Sequence, residues 1–124
     1  MKKIIIACLL FVFIQPVNAK HLYLEKEYQN YWCNKYGGVT EYKLPDETRV
    51  DILTKEYAVE VDFASKWAES IGQALYYGIR TNKKPAVLLI MENPVRDKKY
   101  LDRLKAVSIK HGITVFTVYP CDLK

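Results

Sequence analysis

From Lys20 onward the spacing of apolar residues changes several times, and each change predicts an element. Between His21 and Tyr36, positions Leu24, Tyr28, Tyr31, Trp32 and Lys35 recur at helical spacing, and Gly37-Gly38 supplies a stop. "VTEYKL" (39–44) reads as a strand and "PDET" (45–48) has turn chemistry. "RVDILT" (49–54) and "YAVEVDF" (57–63) follow as two more strands joined by Lys55-Glu56. Helical period returns from Ala64 to about Arg80, where Trp67, Ile71, Ala74, Leu75 and Ile79 fall on one face. "AVLLIM" (86–91) is a continuous apolar run, as expected of a strand covered on both faces. Asn93-Pro94 behind it reads as a loop. "DKKYLDRLKAVSIKHG" (97–112) is an amphipathic helix, with Lys110 and His111 suited to its negative end, and "ITVFTVY" (113–119) is a last strand.

The predicted order is helix, three strands, helix, strand, helix, strand. An antiparallel meander followed by β-α-β crossovers gives an α/β (α+β) fold, a mixed sheet flanked by helices. Residues 20–124, about 105 in all, suffice for one domain with one core.

Residues 1–19 stand apart. Lys2 and Lys3 precede an apolar run from Ile4 to Ile14, and Val17-Asn18-Ala19 offers a small-residue cleavage site. That is the layout of a signal peptide, and the run falls short of the roughly 20 residues that span a bilayer. The expectation is an exported protein, periplasmic or secreted, without stable membrane association after cleavage. The net charge of +5 falls to +3 once Lys2 and Lys3 are set aside, a weakly basic balance that is compatible with nucleic acid without being diagnostic. Cys33 and Cys121 are the cysteines beyond the leader, and in an oxidising compartment they are expected to form a disulfide stabilising the fold by roughly 4 kcal/mol. Two unpaired thiols are the alternative.

The strand at 57–63 carries acids where a covered strand has little use for them. Side chains alternate, so Glu60 and Asp62 share one face and Val59, Val61 and Phe63 the other. If Lys55-Glu56 is a symmetric loop, Asp51 stands directly opposite Glu60. Like charges in that position repel. Three carboxylates on one face call for a compensating cation, and a hard divalent ion with oxygen ligands suits them; an open, solvated face is the bland alternative. The next helix adds Lys66, Ser70, Gln73 and Tyr77 in one narrow sector, with Glu69 beside them, which fits a groove wall.

These residues resemble the PD-(D/E)xK nuclease-like (restriction-endonuclease-like) superfamily, whose core runs αβββαβ; this chain would add a C-terminal helix and strand. Asp51 matches the motif aspartate, "EVD" (Glu60 to Asp62) stands where (D/E)xK would be, and "QALYY" matches the QxxxY signature of the RecB-like branch through Gln73 and Tyr77. Glu27 looks like the acid many members carry in the first helix. The run from Arg49 to Gly78 is also similar to small exported bacterial proteins. The resemblance implies metal-dependent hydrolysis of phosphodiester bonds in DNA, RNA being second choice. Asp51, Glu60 and Asp62 would hold Mg²⁺ or Mn²⁺; Lys66, Gln73, Tyr77 and Glu27 would position water and phosphate. Asp62 replaces the family lysine and cannot stabilise phosphate charge as a lysine does. Either Lys66 reaches back or the ion does that work; otherwise the site is degenerate and the protein is a module binding nucleic acid or a protein partner. The basic positions Lys83, Lys84, Arg96, Lys98, Lys99, Arg103 and Lys105 read as solvated surface, and His21 and His111 as surface or cap residues.

Overall fold

The computed structural model describes residues 20–124; the signal peptide expected at residues 1–19 lies outside them. The elements are α1 (Glu25–Tyr36), β1 (Val39–Lys43), β2 (Arg49–Leu53), β3 (Tyr57–Phe63), a 3₁₀ turn (Ala64–Lys66), α2 (Trp67–Thr81), β4 (Lys84–Ile90), α3 (Pro94–His111), β5 (Thr114–Val118) and a C-terminal 3₁₀ turn (Pro120–Leu123). The sheet has five strands in sequence order, β1-β2-β3-β4-β5. The first three are antiparallel neighbours, while β3, β4 and β5 run parallel. The expected mixed sheet and αβββαβ core with an added helix and strand are therefore present. Among the described residues no helix is long and apolar enough to cross a membrane.

Each crossover buries a strand between helices. β4 is buried from Ala86 to Ile90, which accounts for its unbroken apolar run. On one sheet face Tyr28, Trp32 and Cys33 of α1 pack with Ile52, Val59, Val61, Leu88 and Ile90. On the other, Ala74 of α2 and Leu104 of α3 pack with Val87, Leu89 and Met91.

Three sequence expectations shift. The first helix starts at Glu25, so Leu24 is its exposed N-cap and the buried face runs Tyr28, Gln29, Trp32, Cys33. Ile79 is 79% exposed, because α2 turns Ser70, Ala74, Tyr77 and Gly78 to the interior instead. Asn93-Pro94 is a helix start: the Asn93 side chain accepts the Arg96 N–H at 3.0 Å, and Pro94 occupies the first turn, where its missing N–H costs nothing. Cys33 and Cys121 are free thiols in this structure, the first in the core and the second exposed on the C-terminal turn. That turn packs against α1.

The two-residue connection at Lys55-Glu56 is as expected, with the Thr54 N–H donating to the Tyr57 carbonyl at 2.9 Å. Its register pairs Leu53 with Ala58 and Ile52 with Val59, and one more step of the same count would set Asp51 opposite Glu60. There the regular ladder stops. The pairing of β1 with β2 also skips the step between Thr40–Ile52 and Tyr42–Val50, where Glu41 adopts a left-handed φ of 54°. Ile52 packs beneath α1, whereas Val50 packs with Ala58 and Tyr77 toward α2, although positions two apart share a face on a regular strand. The chain is thus kinked at Asp51. Gln29, buried on α1, holds the kink by donating to the Asp51 carbonyl at 2.8 Å and the Glu41 carboxylate at 3.1 Å.

Replacing Gln29 with leucine would leave those acceptors without their donor. The expected cost is about 1–3 kcal/mol, read as a lower urea midpoint, whereas leucine at the exposed neighbour Asn30 should change stability by no more than about 0.5 kcal/mol.

Candidate functional site

The kink at Asp51 parts β2 from β3, and the Asp51 carboxylate fills the gap by accepting the Val61 N–H at 2.8 Å. A cleft of about 390 Å³ opens beside it, lined by Asp51, Glu60 and Asp62 from the sheet, Glu25 from α1, and Lys66, Glu69 and Gln73 from the α2 side. β3 delivers Glu60 and Asp62 to one side by simple alternation, and both are buried. The 3₁₀ turn after β3 places Lys66 one short step beyond Asp62. Gln73 follows Glu69 by one helical turn and so shares its face.

Of the expected site residues, Asp51, Glu60, Asp62, Lys66 and Gln73 come together here. Tyr77 lies behind them, buried among Leu44, Val50 and Ala58. Burial raises its phenol pKa, and the charge of Glu60 adds to the shift, so it borders the cluster without lining the cleft. Glu27 does not belong. Its carboxylate accepts the Leu24 N–H at 2.6 Å and caps α1. The acid that α1 contributes is Glu25, which precedes buried Tyr28, Gln29 and Trp32 by three, four and seven positions. That spacing was the available signal; Glu27 lies roughly 160° away from Glu25 around the helix.

The electrostatics are those of acids short of cations. Glu60 is 4% exposed, and among the described residues its Oε1 has no hydrogen-bond partner. Burial pushes its pKa far up, and the negative charge of Asp51 pushes it further. Burial also raises Asp51, opposed by the Val61 N–H bond and by a hydrogen bond from the acid form of Glu60. Burial lifts Asp62 to about 6 against the pull of Lys66, and lifts Glu25 to about 7 with help from Asp62 and Asp51. Alone, the cluster holds protons at neutral pH.

Its oxygen donors suit a hard divalent ion, and an orphaned buried Glu60 oxygen next to Asp51 is the kind of atom such an ion satisfies. Among the described residues, no three acid, histidine or cysteine side chains already stand in a ligand arrangement. The fit is one of charge and donor type.

Pocket formation has a second instance at the C-terminal ends of β3 and β4. Here His21 stacks on Phe63 at 3.5 Å between ring centroids and hydrogen-bonds Glu92 at 2.8 Å. Glu92 also accepts the Leu22 N–H at 2.8 Å and the Tyr28 hydroxyl at 3.1 Å. His21 therefore anchors the segment before α1, a structural duty. Arg96 and Lys98 are engaged with Asp97 and Asp102, in keeping with a solvated helix face.

No family model and no solved structure matches the chain. A protein of Acanthamoeba polyphaga mimivirus, named for a KilA-N domain, is 30% identical over 89 residues. The match takes in 72% of this chain and 35% of the viral protein, so the chain spans about a third of its relative's length.

The raised carboxyls dictate how stability depends on pH. A folded-state pKa above the unfolded one means that the folded protein binds the proton more tightly. The stabilisation is fully present below the unfolded values, 3.8 for Asp62 and 4.5 for Glu25, and is lost as pH rises through about 6 and about 7; Glu60 carries the loss further into alkali. In EDTA the melting temperature is expected to fall between pH 5 and 8. Glu60→Gln, which keeps the acid form's shape and removes its charge, should flatten that fall and melt higher than wild type at pH 8. Scanning calorimetry at both pH values decides it, and a wild-type protein that gains stability with rising pH would contradict the assignment.

Proposed function

We propose that the protein is a metal-dependent phosphodiesterase acting on nucleic acid, DNA before RNA. The observation that carries this reading is the buried, unpartnered Glu60 oxygen beside Asp51, in a cleft whose acids converge from four elements. Isolated buried carboxylates are costly unless protonated or matched by a cation, so a groove that collects them is suited to Mg²⁺ or Mn²⁺. Asp51 and Glu60 would hold the ion, with Asp62 beside them. When bound, such an ion acidifies a water molecule and offsets charge on the phosphate.

The remaining roles belong to side chains of the chain itself. Lys66, exposed at the cleft edge, would hold a phosphate oxygen and do the part that Asp62 cannot. Gln73 donates and accepts hydrogen bonds at the cleft wall and orients water or the strand. Tyr77 keeps the far side of Glu60 dry and apolar. Glu25 sits close enough to Asp62 and Lys66 to feel the charge of both. The same proposal includes removal of residues 1–19 on export to the periplasm or beyond, and oxidation of Cys33 and Cys121 to a disulfide.

A second reading is a nuclease-like module that binds nucleic acid or a protein partner without cutting. It is favoured by Asp62 at the lysine position and by acids not drawn together into a ligand set.

Cleavage of plasmid and single-stranded DNA, assayed with Mg²⁺, Mn²⁺ or EDTA, separates the two. The hydrolase requires metal-dependent cutting that disappears in Asp51→Ala/Glu60→Ala purified in parallel. Lys66→Ala should lower the rate by roughly 10²–10³-fold, as loss of one charge-stabilising donor does. Equal inertness of wild type and variant across ions and substrates would remove the hydrolase and leave the binding module.

A further inference from the structure

A second concavity, of about 410 Å³, lies at the opposite end of α1 from the carboxylates. Four rings line it in an unbroken chain. Trp32 stands 4.9 Å from Tyr36 and 5.2 Å from Phe116 between centroids, and Phe116 meets Tyr57 edge-on at 5.4 Å. Trp32 is the buried floor, while Tyr36 is 60% exposed and forms a free wall. The mouth is kept open by Gly37 and Gly38, both at positive φ. A Cβ on Gly38 would lie 2.8 Å from the Leu53 carbonyl oxygen, so that position needs glycine.

The rim is cationic. Lys55 lines it, and Lys83 Nζ donates to the Lys55 carbonyl at 2.6 Å. Lys84 neutralises Glu56 at 2.7 Å, and Lys35 Nζ stands 5.4 Å from the Tyr36 ring centroid. Lys55 thus brings an ammonium group to the rim, and the carboxylate beside it, Glu56, is matched by Lys84. An apolar protein segment gains nothing from such a rim. A planar ring that stacks on aromatics and brings its own negative charge satisfies both halves of the pocket.

We infer that this pocket is a stacking site for a base of single-stranded nucleic acid, its flanking phosphates held by Lys35 and Lys55. The inference rests on the nucleic-acid reading of the protein and adds a contact remote from the acid cleft. Glu25 lines that cleft and Tyr36 lines this pocket, eleven residues apart on one helix, or about 16 Å at 1.5 Å per residue. One strand running along α1 reaches both. Aromatic stacking is indifferent to base identity, so the site confers a preference for unpaired strands over duplex, without sequence choice.

The test is titration of the protein with short oligothymidylate in EDTA, where no metal supports cutting, using a Trp67→Phe background so that Trp32 alone reports. Binding should quench Trp32 fluorescence. Tyr36→Ala should raise Kd roughly 5- to 150-fold, the range that loss of one stacked base gives, and Tyr36→Phe should restore it. An abasic oligonucleotide of equal length should bind weakly and be unaffected by Tyr36→Ala. Charge reversal at Lys35 and Lys55 should flatten the salt dependence of binding. The inference is overturned if abasic and base-bearing strands bind alike, or if Trp32 emission is unchanged at saturation. Its fate is separable from that of the hydrolase: quenching without cleavage under Mg²⁺ keeps this site and ends the hydrolase, and cleavage without base discrimination does the reverse.

Discussion

The site depends on one exchange of hydrogen bonds. Where β2 and β3 would continue as a ladder, the Asp51 side chain takes the Val61 N–H, and the Asp51 carbonyl turns to Gln29 on α1. Backbone groups that leave a ladder inside a protein must find other partners, and here both do. The exchange parts two strands without leaving either orphaned. It also brings α1 into the site, since the helix that supplies Gln29 supplies Glu25 one turn earlier. Glu41, opposite Asp51 on β1, absorbs the distortion in a left-handed conformation that costs a non-glycine residue roughly 1–2 kcal/mol. Kink, helix and cleft form one unit.

That unit works against stability at neutral pH. Core positions on β3 are given to Glu60 and Asp62, and their own surroundings favour the acid forms. Among the described residues Lys66 is the one cation lining the cleft, against five acids: Glu25, Asp51, Glu60, Asp62 and Glu69. Protons are one way to reduce the imbalance; a divalent ion is another, and it would displace them. Occupancy by metal and occupancy by protons therefore oppose each other at the same oxygens, as coordination to carboxylate always requires. Places where a fold departs from its own rules are where a function is expected.

How much of this the sequence revealed varies with how local the cause is. Alternation along β3 and a two-residue loop were enough to bring Asp51 and Glu60 to one place, because register follows arithmetically from a short turn as far as Ile52 and Val59. The continuous apolar run of β4 announced a strand covered on both faces. The rotation of α1 was harder. A tyrosine-rich helix offers several faces of similar hydropathy, and Gln29, which is buried for its hydrogen bonds, looks like a surface residue in sequence. Glu27, to which the resemblance pointed, instead caps α1, a role that also suits an acid. Ile79 misled for the converse reason, an apolar residue left on the surface while Ser70 and Gly78 went inside to let α2 approach the sheet. A Cβ on Gly78 would come within 3.2 Å of Pro85, so the close approach selects for size over hydropathy. The kink itself had no sequence signature beyond the acids that form it.

Asp62 is where the two functional readings part, and its surroundings narrow the choice. A lysine at this buried position would face Asp51, Glu60 and Glu25 and lower the cluster's negative charge; aspartate raises it. A site merely drifting from activity under selection for stability would favour a neutral or apolar side chain there, since a buried carboxylate without a partner is destabilising. The acid instead adds an oxygen donor where two others already stand, with Lys66 close enough to lower its pKa. Under the proposed reading, Asp62 on the strand and Lys66 on the following turn would supply an oxygen donor and a cation within one short step of chain.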